Sequence, residues 1–184
     1  MELLLANPRC YCAGVDRAIQ IVELALERFG APVYVRKEIV HNQHVVGWLR
    51  NRGAVFVNEL VEVPEGALVV FSAHGVSPSV HKEAEQRSLR VIDATCPLVS
   101  KVHVEVERFV AEGYHILLIG HAGHEEVEGT MGHSPAHTTL IENVEQARTS
   151  YIPEHKNLMV LTQTTLSMDD TQHVIDALHE RISD

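Results

Sequence analysis

The chain has 184 residues, 45% of them hydrophobic, and a formal net charge of −10 at pH 7. This size and composition predict a globular protein with one large or two small domains. The acidic charge argues against nucleic acid and anionic membranes as partners, and no apolar run reaches the roughly 18 residues of a membrane span. Three cysteines without a signal sequence indicate a reducing, cytoplasmic environment and not a disulfide framework.

Apolar blocks alternate with helical periods along the chain, which predicts an α/β fold with mainly parallel sheets. The first predicted element is a buried strand over residues 3–6, followed by a helix over 15–29 that Gly30 ends. A helix is expected around 45–49 and another from Pro78, directly after the N-cap residue Ser77. Further strands are expected at 33–35, 54–57, 67–71 and 89–92, and the continuous apolar run at 67–71 is typical of a strand buried on both faces.

The second half of the chain repeats the same alternation. A long helix is expected over 97–113, strands over 114–119, 138–141 and 158–161, and a final helix from about Ser167 through Leu178. Because the β-α-β order occurs on both sides of Cys96, we predict two consecutive small α/β domains. The first covers residues 1–96, with the N-terminal strand and the first cysteine loop, and the second covers 97–184.

Residues capable of chemistry recur just past the carboxyl ends of the predicted strands. In open parallel sheets, ligands bind outside those ends. Residues that lie far apart in the sequence are therefore expected to share one cleft: Cys12, His41, His74, Cys96, His124 and Thr164.

The two loop cysteines, Cys12 and Cys96, are the candidates for metal binding. A thiol at the start of a helix favours the thiolate, which is the form that binds metal. Both cysteines lie beside glycine or proline in predicted turns, so we interpret them as ligands of an iron–sulfur cluster, although a cysteine is often inert packing. Cys10, two residues from Cys12, is interpreted as an ordinary loop residue.

Histidine, carboxylate and hydroxyl side chains complete the candidate site. The imidazoles of His41, His74 and His124 are suitable donors to a phosphate group. Glu126 is a candidate proton donor, and its alternative is an ordinary exposed carboxylate. Thr164 offers a hydroxyl donor, although other threonines lie close by in the sequence: Thr162 and Thr165.

Several sequence blocks, spread in order over nearly the whole chain, resemble the LytB family of 4-hydroxy-3-methylbut-2-enyl diphosphate reductases. The blocks are Cys12-Ala13-Gly14-Val15-Asp16-Arg17, Val40-His41-Asn42, Phe71-Ser72-Ala73-His74-Gly75, Asp93-Ala94-Thr95-Cys96-Pro97, Gly120-His121-Ala122-Gly123-His124 and Thr162-Gln163-Thr164-Thr165.

The resemblance implies the last step of the methylerythritol phosphate route to isoprenoids. This step is the reductive dehydroxylation of 4-hydroxy-3-methylbut-2-enyl diphosphate to isopentenyl and dimethylallyl diphosphate. It implies a 4Fe–4S cluster, held by three cysteines with one iron open to substrate, and a ferredoxin or flavodoxin as electron donor. The implied roles are cluster ligation by Cys12 and Cys96, diphosphate contacts by His41, His74 and His124, substrate orientation by Thr164, and the start of proton delivery by Glu126.

The sequence departs from the family in two ways. The family usually has three such domains, so the third domain and its cysteine ligand are expected to be absent from this chain. Cys10 also stands where the family usually has glycine. Two alternative functions therefore remain open. One is a truncated, inactive remnant that binds diphosphate only, and the other is a zinc-dependent hydrolase built on His121 and His124 with Glu126 or Glu128.

Overall fold

The computed structural model describes residues 3–5, 7, 10–153 and 157–182. Within these residues the chain forms seven strands and seven α-helices, and the strands make two parallel sheets. The predicted α/β class with mainly parallel sheets is confirmed. None of the helices in the described part of the chain is long and apolar enough to cross a membrane.

The first sheet has the strand order β2-β1-β3-β4. Its strands are β1 (Val33–Arg36), β2 (Ala54–Val57), β3 (Leu68–Phe71) and β4 (Arg90–Asp93). Two helices, α1 (Ala13–Phe29) and α2 (Gln43–Asn51), cover one face, and α3 (Pro78–Gln86) covers the other. Every residue of β3 is buried, which agrees with the continuous apolar run in the sequence.

The second sheet has the order β6-β5-β7. Its strands are β5 (Tyr114–Ile119), β6 (Thr138–Ile141) and β7 (Asn157–Thr162). Apolar side chains of α4 (Pro97–Ala111) and α5 (Glu125–His133) pack on one face, and those of α6 (Val144–Thr149) and α7 (Met168–Ile182) pack on the other. Because both sheets are parallel, the carboxyl ends of all strands in a sheet lie at one edge.

The predicted N-terminal strand is wrong for the residues that the structure describes. Leu3, Leu4 and Leu5 have no regular structure and are 78%, 84% and 64% exposed, while Ala6 lies outside the described residues. A strand needs a neighbouring strand to satisfy its backbone groups, and none of the described strands pairs with these leucines. Apolar character alone therefore did not produce a strand here.

The two sheets lie on either side of Cys96 in the sequence, and α5 of the second half contacts α3 of the first. This contact is close because α5 carries two glycines on one face. A Cβ atom at Gly129 would be 3.4 Å from the carbonyl oxygen of Gly75, and one at Gly132 would collide with Ser77. The division into domains at 1–96 and 97–184 stays a prediction.

Candidate functional site

A cavity of about 280 Å³ lies where the strand-end loops of the two sheets meet. Loops after β1, β3 and β4, the start of α1, and residues of α5 and of the loop after β7 contribute to its wall. Six of the seven site residues expected from the sequence line this cavity: Cys12, His41, His74, Cys96, Glu126 and Thr164.

The two cysteines occupy equivalent positions, because Cys12 is the N-cap residue of α1 and Cys96 is the N-cap residue of α4. Their sulfur atoms converge on Gly14. A Cβ atom at Gly14 would be 2.6 Å from Sγ of Cys96 and 3.9 Å from Sγ of Cys12, so the two sulfurs are at most about 6.5 Å apart. Glycine at this position leaves open the space between the two thiols.

Arg17 joins the two cysteine loops. Its Nη1 donates to the carbonyl oxygen of Thr95 at 2.9 Å and contacts that of Ala94 at 3.4 Å. The backbone N–H of Cys96 donates to the carbonyl oxygen of Ala73 at 2.9 Å, which also ties this loop to the end of β3. The distance between the two thiols is therefore held by α1 and the first sheet together.

Three imidazoles form a cluster at the cavity. The ring centroid of His41 is 4.2 Å from that of His74 and 5.2 Å from that of His124, and the last two are 5.8 Å apart. His74 is buried and His41 is exposed. The sequence interpretation placed these histidines at strand ends, and the structure brings all three rings together.

His124 is fixed in one tautomer by the helix that it caps. Its Nδ1 accepts a hydrogen bond from the backbone N–H of Glu126 at 3.1 Å, so the proton of the neutral ring is on Nε2. Burial lowers the pKa of His124 below its ordinary value, and the nearby His74 and His41 lower it further. The charge of Glu126 acts in the opposite direction. His124 is therefore a neutral donor through Nε2.

Glu126 and Thr164 are in direct contact, although 38 positions separate them in the sequence. The Thr164 backbone N–H donates to Oε2 of Glu126 at 2.9 Å, and the Thr164 hydroxyl lies 2.9–3.0 Å from both carboxylate oxygens. Glu126 is 4% exposed, so it is not the exposed carboxylate of the alternative interpretation. The contact also distinguishes Thr164 from Thr165, whose hydroxyl accepts from Gln163.

Sequence reasoning missed Glu125. Its side chain is only 18% exposed, and its Oε2 lies 2.8 Å from Nδ1 of His74. Burial alone would raise the pKa of Glu125, but the contact with His74 and the charges of His74, His41 and Lys37 hold this pKa below its ordinary value. The only sequence signal was an acidic residue at the first position of a helix, which is common.

Asn42 and Tyr11 also line the cavity. The Asn42 side chain accepts from the backbone N–H groups of His44 and Val45, which caps α2, and its Nδ2 donates to the Tyr11 hydroxyl at 3.3 Å. The asparagine thus holds the loop that carries His41 against the loop that carries Cys12.

The zinc arrangement considered from the sequence is not supported by the geometry. His121 lines a neighbouring cavity of about 390 Å³, whereas the ring of His124 belongs to the imidazole cluster. Among the residues that the structure describes, no group of three or more His, Cys, Asp or Glu side chains is close enough to hold one metal ion. Cys10 is exposed and does not line the cavity.

Comparisons with known proteins identify the family of this chain. A family model for LytB protein matches residues 3–184. The 4-hydroxy-3-methylbut-2-enyl diphosphate reductase of Corynebacterium diphtheriae is 61% identical over 185 residues, which are 99% of this chain and 55% of that protein. The enzyme of the same name from Pectobacterium atrosepticum is 57% identical, over 98% of this chain and 58% of that protein. The chain thus spans about half the length of the curated relatives that it matches.

The fold is also shared with a solved structure. The E-1-hydroxy-2-methyl-but-2-enyl-4-diphosphate reductase from Plasmodium falciparum matches with a TM-score of 0.93 and 45% identity, covering 96% of this chain and 56% of that one. From the family match over residues 3–184 and these identities, the chain belongs to the LytB protein family.

Proposed function

We propose that the cavity is part of the active site of a 4-hydroxy-3-methylbut-2-enyl diphosphate reductase, in the last step of the methylerythritol phosphate route. The substrate takes up two electrons and two protons, its allylic C–O bond breaks, a C–H bond forms, and water leaves. The products are isopentenyl and dimethylallyl diphosphate. The observation that carries this proposal is the convergence of Cys12 and Cys96 on one cavity with His41, His74 and the buried Glu126, with the ring of His124 beside the other two imidazoles.

Cys12 and Cys96 would hold a 4Fe–4S cluster, since thiolates are the usual ligands of such clusters. The open space at Gly14 and the placement of both sulfurs at helix N-termini fit this role. When bound, the cluster supplies the electrons and a Lewis-acidic iron. Two thiols are an incomplete ligand set, so the third ligand would come from the part of the relatives' length that this chain does not span.

The imidazole cluster would bind the diphosphate. His124 donates through Nε2, and His74 and His41 place two further rings beside it. These three rings form a local donor patch in a protein whose overall charge is −10. A local patch of this kind opposes the acidic field of the rest of the molecule.

Glu126 would deliver a proton to the leaving hydroxyl through Thr164. Hydroxide is a poor leaving group, so protonation must accompany its departure. Glu126 is buried, while Thr164 is exposed and in contact with both carboxylate oxygens. The threonine hydroxyl would therefore pass the proton from the carboxyl group to the substrate and orient the substrate at the same time.

The remaining parts of the proposal are the electron donor, which the family implies, and the two domains, which the order of strands and helices around Cys96 suggests. The electrons would come from a ferredoxin or flavodoxin in the cytoplasm, and the chain would comprise the domains 1–96 and 97–184. No nucleic acid or membrane partner is proposed.

Anaerobic reconstitution with iron and sulfide tests the proposal. Iron and acid-labile sulfide per chain, and conversion of the substrate with reduced methyl viologen, are compared for the parent chain and for Cys12→Ser, Cys96→Ser and Cys10→Ser. The first two variants are expected to lose iron, and Cys10→Ser is the matched control because Cys10 is exposed and outside the cavity. Pyrophosphate binding without iron would favour a diphosphate-binding remnant. An air-stable activity lost to chelators would favour the zinc hydrolase instead.

A further inference from the structure

The carboxylate of Glu125 and the ring of His74 form a close pair behind the imidazole cluster. Oε2 of Glu125 is 2.8 Å from Nδ1 of His74, and the two side chains are 18% and 8% exposed. The hydroxyl of Ser72 lies 3.1 Å from the same ring nitrogen. Ser72 makes the hydrogen bond with this ring nitrogen, whereas the buried Oε2 of Glu125 has no hydrogen bond and lies at ion-pair distance from Nδ1. Nδ1 thus faces protein groups, and Nε2 is the ring nitrogen left for a ligand in the cavity that His74 lines.

We propose that Glu125 is a positioning residue for diphosphate binding: its carboxylate accepts the Nδ1 proton of His74, fixes the tautomer and angle of that ring, and directs Nε2 to the ligand. This inference rests on the proposed function, because it assumes that the cavity takes a diphosphate. The tautomer itself can be measured without any ligand.

Ser72 alone would not fix the tautomer. A serine hydroxyl can donate to Nδ1 or accept from it, so either ring nitrogen could carry the proton. An ionised carboxylate only accepts, and it therefore places the proton on Nδ1. When Nε2 takes a second proton in order to donate to a diphosphate oxygen, the same carboxylate balances the new positive charge.

Consecutive residues at the start of α5 therefore act on different histidines. The backbone N–H of Glu126 holds His124 with its proton on Nε2, while the carboxylate of Glu125 lies 2.8 Å from Nδ1 of His74, the nitrogen on which the proposal places the proton. Because i and i+1 side chains point to different sides of a helix, the carboxylate of Glu126 turns away toward Thr164.

Charged groups from several elements favour the ionised form of Glu125. Burial on α5 opposes ionisation, but His74 from the loop after β3, and His41 and Lys37 from the loop after β1, together hold the pKa of Glu125 below its ordinary value. The carboxylate is thus available as an acceptor at neutral pH.

The first measurement is the tautomer of His74 in the full chain, read from the ¹⁵N shifts of its two ring nitrogens at pH 7.5. The test variant is Glu125→Gln, and the matched control is Glu128→Gln, which removes the same charge from the first turn of the same helix at an exposed residue. The parent chain and Glu128→Gln are expected to show the proton on Nδ1. Glu125→Gln is expected to show a mixture or the Nε2 form. An unchanged tautomer in Glu125→Gln would overturn the inference.

The second measurement is the affinity for inorganic pyrophosphate by calorimetry. Loss of a hydrogen bond to a charged group predicts binding weakened about tenfold in Glu125→Gln, with Glu128→Gln within about twofold and Glu125→Asp partly restored. Equal affinities in the two glutamine variants would refute the positioning role. If the parent chain binds no pyrophosphate, the proposed substrate class is wrong, while the tautomer data still decide the Glu125–His74 contact. Matching thermal melts of the variants separate positioning from loss of fold.

Discussion

Replacing Gly14 by alanine tests whether the two thiols face one another. The added methyl group would lie 2.6 Å from Sγ of Cys96 and 3.9 Å from Sγ of Cys12. Gly47 in α2 is the matched control, because a Cβ atom there meets nothing within 4 Å. The same substitution is thus made in two helices, in one case between the sulfurs and in the other in open space.

The geometry sets the size of the expected effect. Non-bonded heavy atoms are at their best separation near 3.5–4.0 Å, so Sγ of Cys96 must retreat by roughly 1 Å from its present contact. Overpacking of this kind costs about 1–3 kcal/mol. If this cost applies to the arrangement in which both thiols bind one ligand, the affinity for that ligand falls by roughly tenfold or more. Within a helix, alanine is favoured over glycine by about 1 kcal/mol, and a Cβ atom at Gly47 has room, so Gly47→Ala should unfold at slightly higher urea concentration.

Phenylarsine oxide, which binds two neighbouring thiols at once, is a suitable probe that needs no iron. Gly14→Ala is expected to bind it about tenfold more weakly and to reconstitute with less iron, with an unchanged far-ultraviolet circular dichroism spectrum. Gly47→Ala is expected to behave as the parent chain in both assays. If Gly14→Ala binds the arsenical as tightly as Gly47→Ala does, the thiols do not converge on Gly14 and the proposed cluster site fails.

Further variants test the other parts of the site and the fold. Glu126→Gln should lower kcat about 10²–10⁴-fold with little change in KM, as expected for a lost proton donor in steady-state assays. Arg17→Leu removes the bond to the Thr95 carbonyl and should reduce iron loading and cost about 1–3 kcal/mol in urea unfolding. Burial, and then the charge of His133, lower the pKa of His103 from 6.5 to about 4, so the unfolded chain takes up this proton at higher pH than the folded chain does. The contribution of His103 to the free energy of unfolding is thus complete above pH 6.5 and falls by about 3 kcal/mol as the pH drops to 4. In His103→Leu, urea unfolding measured over this pH range should no longer show that decrease.

Each of these expectations has an outcome that contradicts it. A normal kcat in Glu126→Gln would assign the proton to another group. Unchanged iron loading in Arg17→Leu would mean that the Cys96 loop holds itself in place. If His103→Leu leaves the pH dependence as steep as in the parent chain, then other groups cause the loss. His173→Gln, at an exposed position of α7, is the matched histidine control.

Most of the fold was predictable because its signals are local. The strand expected over 67–71 is found at Leu68–Phe71, and the two proline-led helices begin at Pro78 and Pro97 as expected. The strand over 3–6 failed, because a strand also needs a partner and none of the described strands pairs with Leu3–Leu5. The helices α5 and α6 were not predicted, since α5 has two glycines in nine residues and α6 is six residues long.

The site was predictable to the extent that it depends on strand ends. A parallel sheet gathers the residues that follow its strands at one edge, so the meeting of His41, His74 and Cys96 follows from the topology of the first sheet. Thr164 follows β7 of the second sheet, so its place in the same cavity depends on how the two sheets pack. The role of Glu125 did not follow, because a sequence of two adjacent glutamates does not tell which one is buried or what each contacts. Only the rotation of α5 relative to the first sheet decides that.

The helix α5 therefore connects the two halves of the cavity. Its glycines at i and i+3, Gly129 and Gly132, lie on one face and let its backbone approach the loop at Gly75, just after His74. Its first two residues bring one carboxylate to His74 and another to the loop after β7. Both carboxylates belong to one helix. The distance between this helix and the first sheet therefore determines the position of Glu125 relative to His74 and the position of Glu126 relative to Thr164. The two glycines of α5 thus contribute to the geometry of the proposed reaction, because any larger residue at the glycine face would move both carboxylates at once.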